Sequence, residues 1–280
     1  MAPTPLSSDP SSSLWPRAWR SYVALGDSFT EGLEDERRAD GRHLGWADRV
    51  AGALAAGRGE GDFTYANLAI RGRLLPEVMG EQVAQAVALG PDLVTVGAGV
   101  NDALRRRFDL DMMATRLERG VRELRATGAD VVLFSFGDPA RRSRAMAPIR
   151  GRLRGLNSAV RSIAAHYGCR VVDFWGAAVF DDDRLWDEDR LHLSPQGHAL
   201  VAESVLETLG HGSDDWRTPM VSGVPSRSTL QPVRHARWVA RHASPWLSRR
   251  VRGQSSGDRV TAKNPAWVVV NRDGQPSTVD

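Results

Sequence analysis

Four short stretches of this 280-residue chain carry side chains able to do nucleophilic chemistry. "VALGDSFTEG", residues 23–32, ends a run of small apolar residues on Gly26-Asp27-Ser28. "NLAIRGRLL", 67–75, holds Gly72, and "VGAGVNDAL", 96–104, holds Gly99, Asn101 and Asp102. "DEDRLHLSPQGHAL", 187–200, holds Asp189 and His192. A serine nucleophile needs a base to take its proton and a group that orients the base. It also needs donors aimed at the developing oxyanion. Ser28 can be the nucleophile and His192 the base. Asp189, three residues before His192, reaches the other imidazole nitrogen if the segment makes a single turn. The Ser28 N–H, the Gly72 N–H and the Asn101 amide can serve as oxyanion donors. Glycine at 72 lets the backbone approach a ligand closely, and a neutral amide donates without adding charge.

Each residue taken alone has a plainer reading. Ser28 can be a helix N-cap after a strand, Asn101-Asp102 a turn and cap, Asp189 a surface carboxylate and His192 a packing residue. His198 competes as the base, but it falls in the first turn of a helix and lacks a carboxylate at the right spacing. Asp27 is expected to fix the turn beneath the nucleophile through backbone hydrogen bonds, and Asp102 to do the same beside Asn101. Arg42 and His43 could touch substrate or lie in a solvated turn. The arginines of residues 138–155 could favour an anionic substrate, although solvated loop charges are commoner. The acidic runs 181–183 and 187–189, apart from Asp189, read as loop charges, and neither metal nor cofactor is expected.

These residues need a scaffold that brings strand ends together. Apolar runs at 22–25, 63–68, 93–96, 131–136 and 170–174 predict five strands. Helical patterns follow at 46–56, 76–89, 110–127, 153–167 and 195–209, the last opened by Ser194 as N-cap and Pro195 at the first helical position. Alternation of this kind predicts an α/β fold with a parallel sheet covered on both faces. Sites in such sheets lie beyond the carboxyl ends of the strands, where all four stretches fall.

Taken together and in order, the four stretches resemble the blocks of the SGNH, or GDSL, esterase/lipase family. Gly26-Asp27-Ser28 is similar to its nucleophile block, Gly72 to its second-block glycine, Gly99-Val100-Asn101-Asp102 to its G-x-N-D block and Asp189-x-x-His192 to its D-x-x-H block. The resemblance spans about residues 21–210. It implies a flavodoxin-like three-layer α/β/α sandwich with a five-stranded parallel sheet. The implied roles are nucleophile Ser28, acid–base pair Asp189–His192, and oxyanion donors Ser28, Gly72 and Asn101. Phe29 stands where the family name has leucine. The implied activity is hydrolysis of a small acyl ester, an acetylated carbohydrate or a lipid. Transfer of the acyl group to another hydroxyl would use the same site. A G-x-S-x-G match at 253–257 lacks a preceding strand and a following helix, which argues against the α/β-hydrolase elbow.

Composition is that of a globular protein able to bury a core, with 41% hydrophobic and 25% charged residues. A net charge of +3 makes no case for a nucleic-acid binder. Cys169 is the single cysteine, which excludes an internal disulfide, and its neighbours suit a small apolar residue entering a strand. The N-terminal residues lack a cationic, apolar leader and no stretch approaches the ~20 apolar residues of a membrane span, so a cytoplasmic protein is expected. Residues 1–19 read as a disordered lead-in, 20–210 as the catalytic domain, and 211–280 as an Arg- and Trp-rich extension with two short helices. That extension is expected to pack through its tryptophans; a basic membrane- or partner-binding surface, with or without catalysis, is the alternative. Its last part, "GQSSGDRVTAKNPAWVVV", is a loose tail or includes one added edge strand. Oligomeric state is left open.

Overall fold

The computed structural model describes residues 18–58, 61–218, 257 and 260–271. In chain order, β1 (Ser21–Gly26), α1 (Ser28–Glu31), α2 (Gly45–Ala56) and β2 (Phe63–Asn67) come first. The next helix, α3 (Leu75–Glu77), runs through a π-helical turn (Val78–Gln82) into α4 (Val83–Leu89). There follow β3 (Leu93–Gly97), α5 (Val100–Ala103), α6 (Leu110–Ala126), β4 (Asp130–Ser135), α7 (Pro139–Arg142), α8 (Ala147–Tyr167) and β5 (Arg170–Asp173). Helix α9 (Pro195–Thr208) and strand β6 (Asn264–Val270) close the series.

The sheet order is β5-β4-β3-β1-β2-β6. The first five strands are parallel, and β6 runs antiparallel beside β2, so the sheet has six strands rather than five. The sixth is the edge strand that the end of the extension could supply. Alternate side chains of each strand go to opposite faces. Tyr22 and Ala24 join Trp46, Phe134, Val172, Val201 and Val205 under α2 and α9. Val23 and Leu25 join Leu75, Val83, Val94, Val121 and Val160 under the other helices. Helix α6 shows why: Met113, Leu117, Val121 and Leu124 recur at helical spacing and are buried, while its arginines face out.

Two expectations need correction. Helix α8 begins at Ala147, so Arg150 and Arg152 belong to a helix and not to a rim loop. Pro148 sits in the first turn, and Leu110 packs where a Gly155 side chain would be. Trp19, placed in the lead-in, is buried and its indole donates to Asp130 at 3.0 Å. Trp216, beyond residue 210, is buried against Phe174 and Phe180. The two short helices expected near residues 231–252, most of the lead-in and Ser255 of the G-x-S-x-G match lie outside the described residues.

Candidate active site

Strand order reverses direction between β1 and β3, and a parallel sheet opens a crevice at such a point. Gly26 and Gly97 pair at the ends of these two strands, so the loops bearing Ser28 and Asn101 leave the sheet side by side. Ser28 opens α1, with Asp27 as N-cap accepting the Phe29 N–H at 3.1 Å. The Phe29 ring turns inward against Trp46, Phe134 and Phe136, with centroids 5.2–5.6 Å away. Replacing the leucine of the family name with phenylalanine thus changes the core and leaves the hydroxyl untouched. Gln82, delivered by the π-helical turn, accepts the Gly26 N–H at 2.8 Å and donates to the Gly26 carbonyl at 2.9 Å. Those bonds fix the peptide groups just before Ser28.

His192 arrives from beyond β5 on a closed turn. Trp186 and Leu193 form an antiparallel bridge, and the Asp187 N–H donates to the His192 carbonyl at 2.9 Å. Arg190 takes the left-handed conformation (φ 59°) between Asp189 and His192. Arg142 lies over the Trp186 ring at 3.8 Å and donates to the Arg190 carbonyl at 3.3 Å, steadying this turn. His192 Nε2 stands 3.1 Å from Ser28 Oγ, and His192 Nδ1 stands 2.5 Å from Asp189 Oδ2. Asp189 Oδ1 accepts the Leu191 and His192 N–H groups at 2.8 and 2.9 Å, which orients the carboxylate. Burial opposes the Asp189 charge, yet hydrogen bonds and the attraction of His192 outweigh it and hold the carboxyl at about 2.

The donor side is built by long-range links. Gly72 has φ +78°, a conformation that favours glycine, and sits in the turn after β2. The preceding residue is tied to α1: Glu31 accepts the Arg71 N–H at 2.7 Å and pairs with its guanidinium at 2.9 Å. The following residue is tied to α5, since Asn101 Nδ2 donates to the Arg73 carbonyl at 3.2 Å. Among the described residues the Ser28 and Gly72 N–H groups donate to no protein acceptor. Asn101 Nδ2 also donates to Asp27 Oδ2 at 3.0 Å. Asp27 therefore does two jobs, holding the α1 turn and aiming the Asn101 amide. Burial raises the Asp27 carboxyl to about 7, opposed by the Phe29 N–H.

Asp102 reaches beyond its own turn. Its Oδ2 accepts the Leu75 N–H at 2.9 Å, so it also anchors the start of α3. Burial raises its carboxyl to about 6. The competing base is elsewhere: His198 is buried, its Nε2 bonds the Leu33 carbonyl at 3.0 Å, and burial lowers its imidazole to about 4. His43 is buried with Nδ1 2.9 Å from the Asp35 carbonyl, and Arg42 reaches the Lys263 carbonyl and Asn264, so neither faces the crevice as a free substrate contact. Arg141 pairs with Asp181 at 2.9 Å and Arg150 with Asp138 at 2.6 Å, while Asp182 pairs with Arg184. The loop charges are thus largely spent on one another. Burial raises the Cys169 thiol to about 11, in keeping with a packing role. Among the described residues no helix is long and apolar enough to cross a membrane.

Comparison with known proteins adds an independent finding. The model of the GDSL-like lipase/acylhydrolase family matches residues 24–200. No curated protein matches the chain. Among solved structures, the chain is similar to the acetylxylan esterase Axe2 from Geobacillus stearothermophilus (21% identity, TM-score 0.56), covering 70% of this chain and 97% of that one. It is similar to a lipase/acylhydrolase from Enterococcus faecalis (24%, TM-score 0.54), covering 68% and 96%. It also resembles the psychrotrophic esterase EstA from Pseudoalteromonas sp. (18%, TM-score 0.54), covering 68% and 97%. At such identities the likeness to these structures is one of fold.

Proposed function

The chain belongs to the GDSL-like lipase/acylhydrolase family and is accordingly a carboxylic ester hydrolase, and from that premise we propose that it works through an acyl-enzyme on Ser28. The observation that carries this reading is the continuous hydrogen-bonded line from Ser28 Oγ through His192 to Asp189, at 3.1 and 2.5 Å. His192 Nε2 takes the hydroxyl proton as Oγ attacks the ester carbonyl. Asp189 holds the Nδ1 proton and stabilises the imidazolium that forms. The carbonyl oxygen, now negative, is received by the Ser28 and Gly72 N–H groups and by Asn101. Receiving it requires Asn101 Nδ2 to turn from the Arg73 carbonyl, which it holds at 3.2 Å against 3.0 Å for Asp27. His192 then protonates the departing alcohol. Water enters, gives its proton to His192 and attacks the acyl carbon, and the acid leaves as Ser28 regains its hydrogen.

A small acyl ester is the proposed substrate, with acetylated carbohydrate the class suggested by the acetylxylan esterase fold relative. Hydrolysis of p-nitrophenyl acetate, butyrate and octanoate by wild type and Ser28→Ala tests this reading. Rates should fall with chain length in wild type and vanish in the variant. Full activity in Ser28→Ala would remove the serine mechanism, and a maximum at octanoate would make the protein a lipase.

A further inference from the structure

The family match ends at residue 200, yet the chain returns to the site from much farther along. Gly257 is buried against the loop that carries Gly72. A Cβ built on Gly257 would lie 2.2 Å from the Arg71 carbonyl oxygen and 3.0 Å from Ile70 Cγ2, so the backbone there packs directly on that peptide. The Arg71 carbonyl and the Gly72 N–H belong to one planar trans peptide group, in which C=O and N–H point opposite ways. Whatever holds the carbonyl from behind therefore sets the direction of the N–H in front.

What holds Gly257 is itself well anchored. The Val260 N–H donates to the Gly257 carbonyl at 3.0 Å. Lys263, the one lysine of the chain, buries its ammonium beside Asp48 at 2.5 Å and donates to the His43 and Leu44 carbonyls at 3.0 and 2.8 Å. Strand β6 then zips onto β2, Phe63 opposite Val270 and Tyr65 opposite Val268. Gln85 donates to the Pro265 carbonyl at 2.7 Å, tying the same strand to α4. The other end of the Arg71 residue is clamped by Glu31, so its N–H and its carbonyl are both restrained.

We infer that Gly257 and residues 260–271 brace the oxyanion hole, with Gly257 as a positioning residue that fixes the Arg71–Gly72 peptide and so aims the Gly72 N–H. This rests on the reading of Gly72 as an oxyanion donor. A side chain at 257 displaces the Arg71 carbonyl and turns the donor away from the charge that develops only in the transition state. Substrate binding, made before that charge appears, is untouched. The brace comes from outside the family's matched region, so it is a property of this chain's extension.

Full-length Gly257→Ala tests the inference by two readouts. The first is kcat and KM with p-nitrophenyl acetate. The second is the rate of labelling by a fluorophosphonate, in which a Ser28 Oγ–P bond forms, the P–F bond breaks, the serine proton passes to His192 and fluoride leaves. Its phosphonyl oxygen uses the same donors. Losing an oxyanion donor outright costs ~10²–10³ in kcat, so displacing one should cost about 10-fold. The expected result is that drop in both kcat and labelling rate, with KM within about twofold of wild type. Counting only the labelled fraction corrects for any misfolded protein. Should Gly257→Ala not fold, Val260→Pro, which removes the N–H donated to Gly257, should lower both rates in the same proportion by a few-fold. Wild-type kcat and labelling in a folded variant would overturn the brace. Activity and labelling retained in Ser28→Ala would instead overturn the underlying serine reading, so the two failures are separable.

Discussion

Two histidines, His192 and His198, lie six residues apart, and the structure gives them opposite fates. His198 is nine-tenths buried or more, bonds the Leu33 carbonyl through Nε2 and has no Nδ1 partner among the described residues. Burial lowers its imidazole from 6.5 to about 4, against the pull of Asp35. The unfolded chain thus binds this proton below about pH 6.5 and the folded chain only below about pH 4. The stability contribution is complete above 6.5 and is lost as pH falls through that window. Over the whole window the loss is ~3 kcal/mol, and between about pH 7.5 and pH 5 it is ~2 kcal/mol. Asp27 and Asp102, raised to about 7 and 6, contribute the opposite way, favouring the fold at low pH and losing that contribution as pH rises. Comparison with His198→Gln cancels them, since glutamine keeps a donor for Leu33 and does not titrate. Urea unfolding of both proteins at the two pH values reads the difference. With a urea dependence of ~3 kcal/mol/M, the wild-type midpoint should drop by ~0.7 M more than that of the variant. The variant should keep its esterase rate at neutral pH, while His192→Ala loses it. Parallel midpoints at both pH values would refute the argument that His198 is held neutral by burial.

Two further outcomes follow from the site. Asn101→Ala should lower kcat by ~10²–10³ with little change in KM, because the amide acts on the oxyanion; a matched rise in KM at constant kcat, from steady-state rates, would assign it to substrate binding instead. Cys169, with its thiol raised to about 11, should react slowly with iodoacetamide near pH 8, and its alkylation in unfolded protein should be far faster, as mass spectrometry would show; rapid labelling of the native chain would contradict its packing role.

The hydrogen-bonded line from Ser28 through His192 to Asp189 was legible because each of its parts is local. Gly26-Asp27-Ser28 ends an apolar strand, and Asp189 sits at one-turn spacing from His192, so type and spacing suffice. The five parallel strands were legible for the same reason, each being a short apolar run followed by a helical pattern. What escaped was pairing at a distance. Nothing in the neighbourhood of Glu31 announces that it clamps Arg71, nor that Asp102 anchors Leu75, nor that Asp27 aims Asn101 across 74 residues. Gln82 reaches Gly26 only because a π-helical turn shifts its register, and a single-residue register change leaves no mark on a 3.6-residue pattern. Lys263 meeting Asp48 over 215 residues is the extreme case. Only β6 lying beside β2 brings the lysine to its partner.

The central claim, an acyl-enzyme on Ser28, is tested most directly by mass spectrometry of wild type mixed with excess p-nitrophenyl butyrate and quenched in acid within the first turnovers. The account predicts a butyryl group on the peptide that contains Ser28, formed with a burst of nitrophenolate and absent from Ser28→Ala. A butyryl group on another residue, or undiminished turnover by Ser28→Ala, would contradict it.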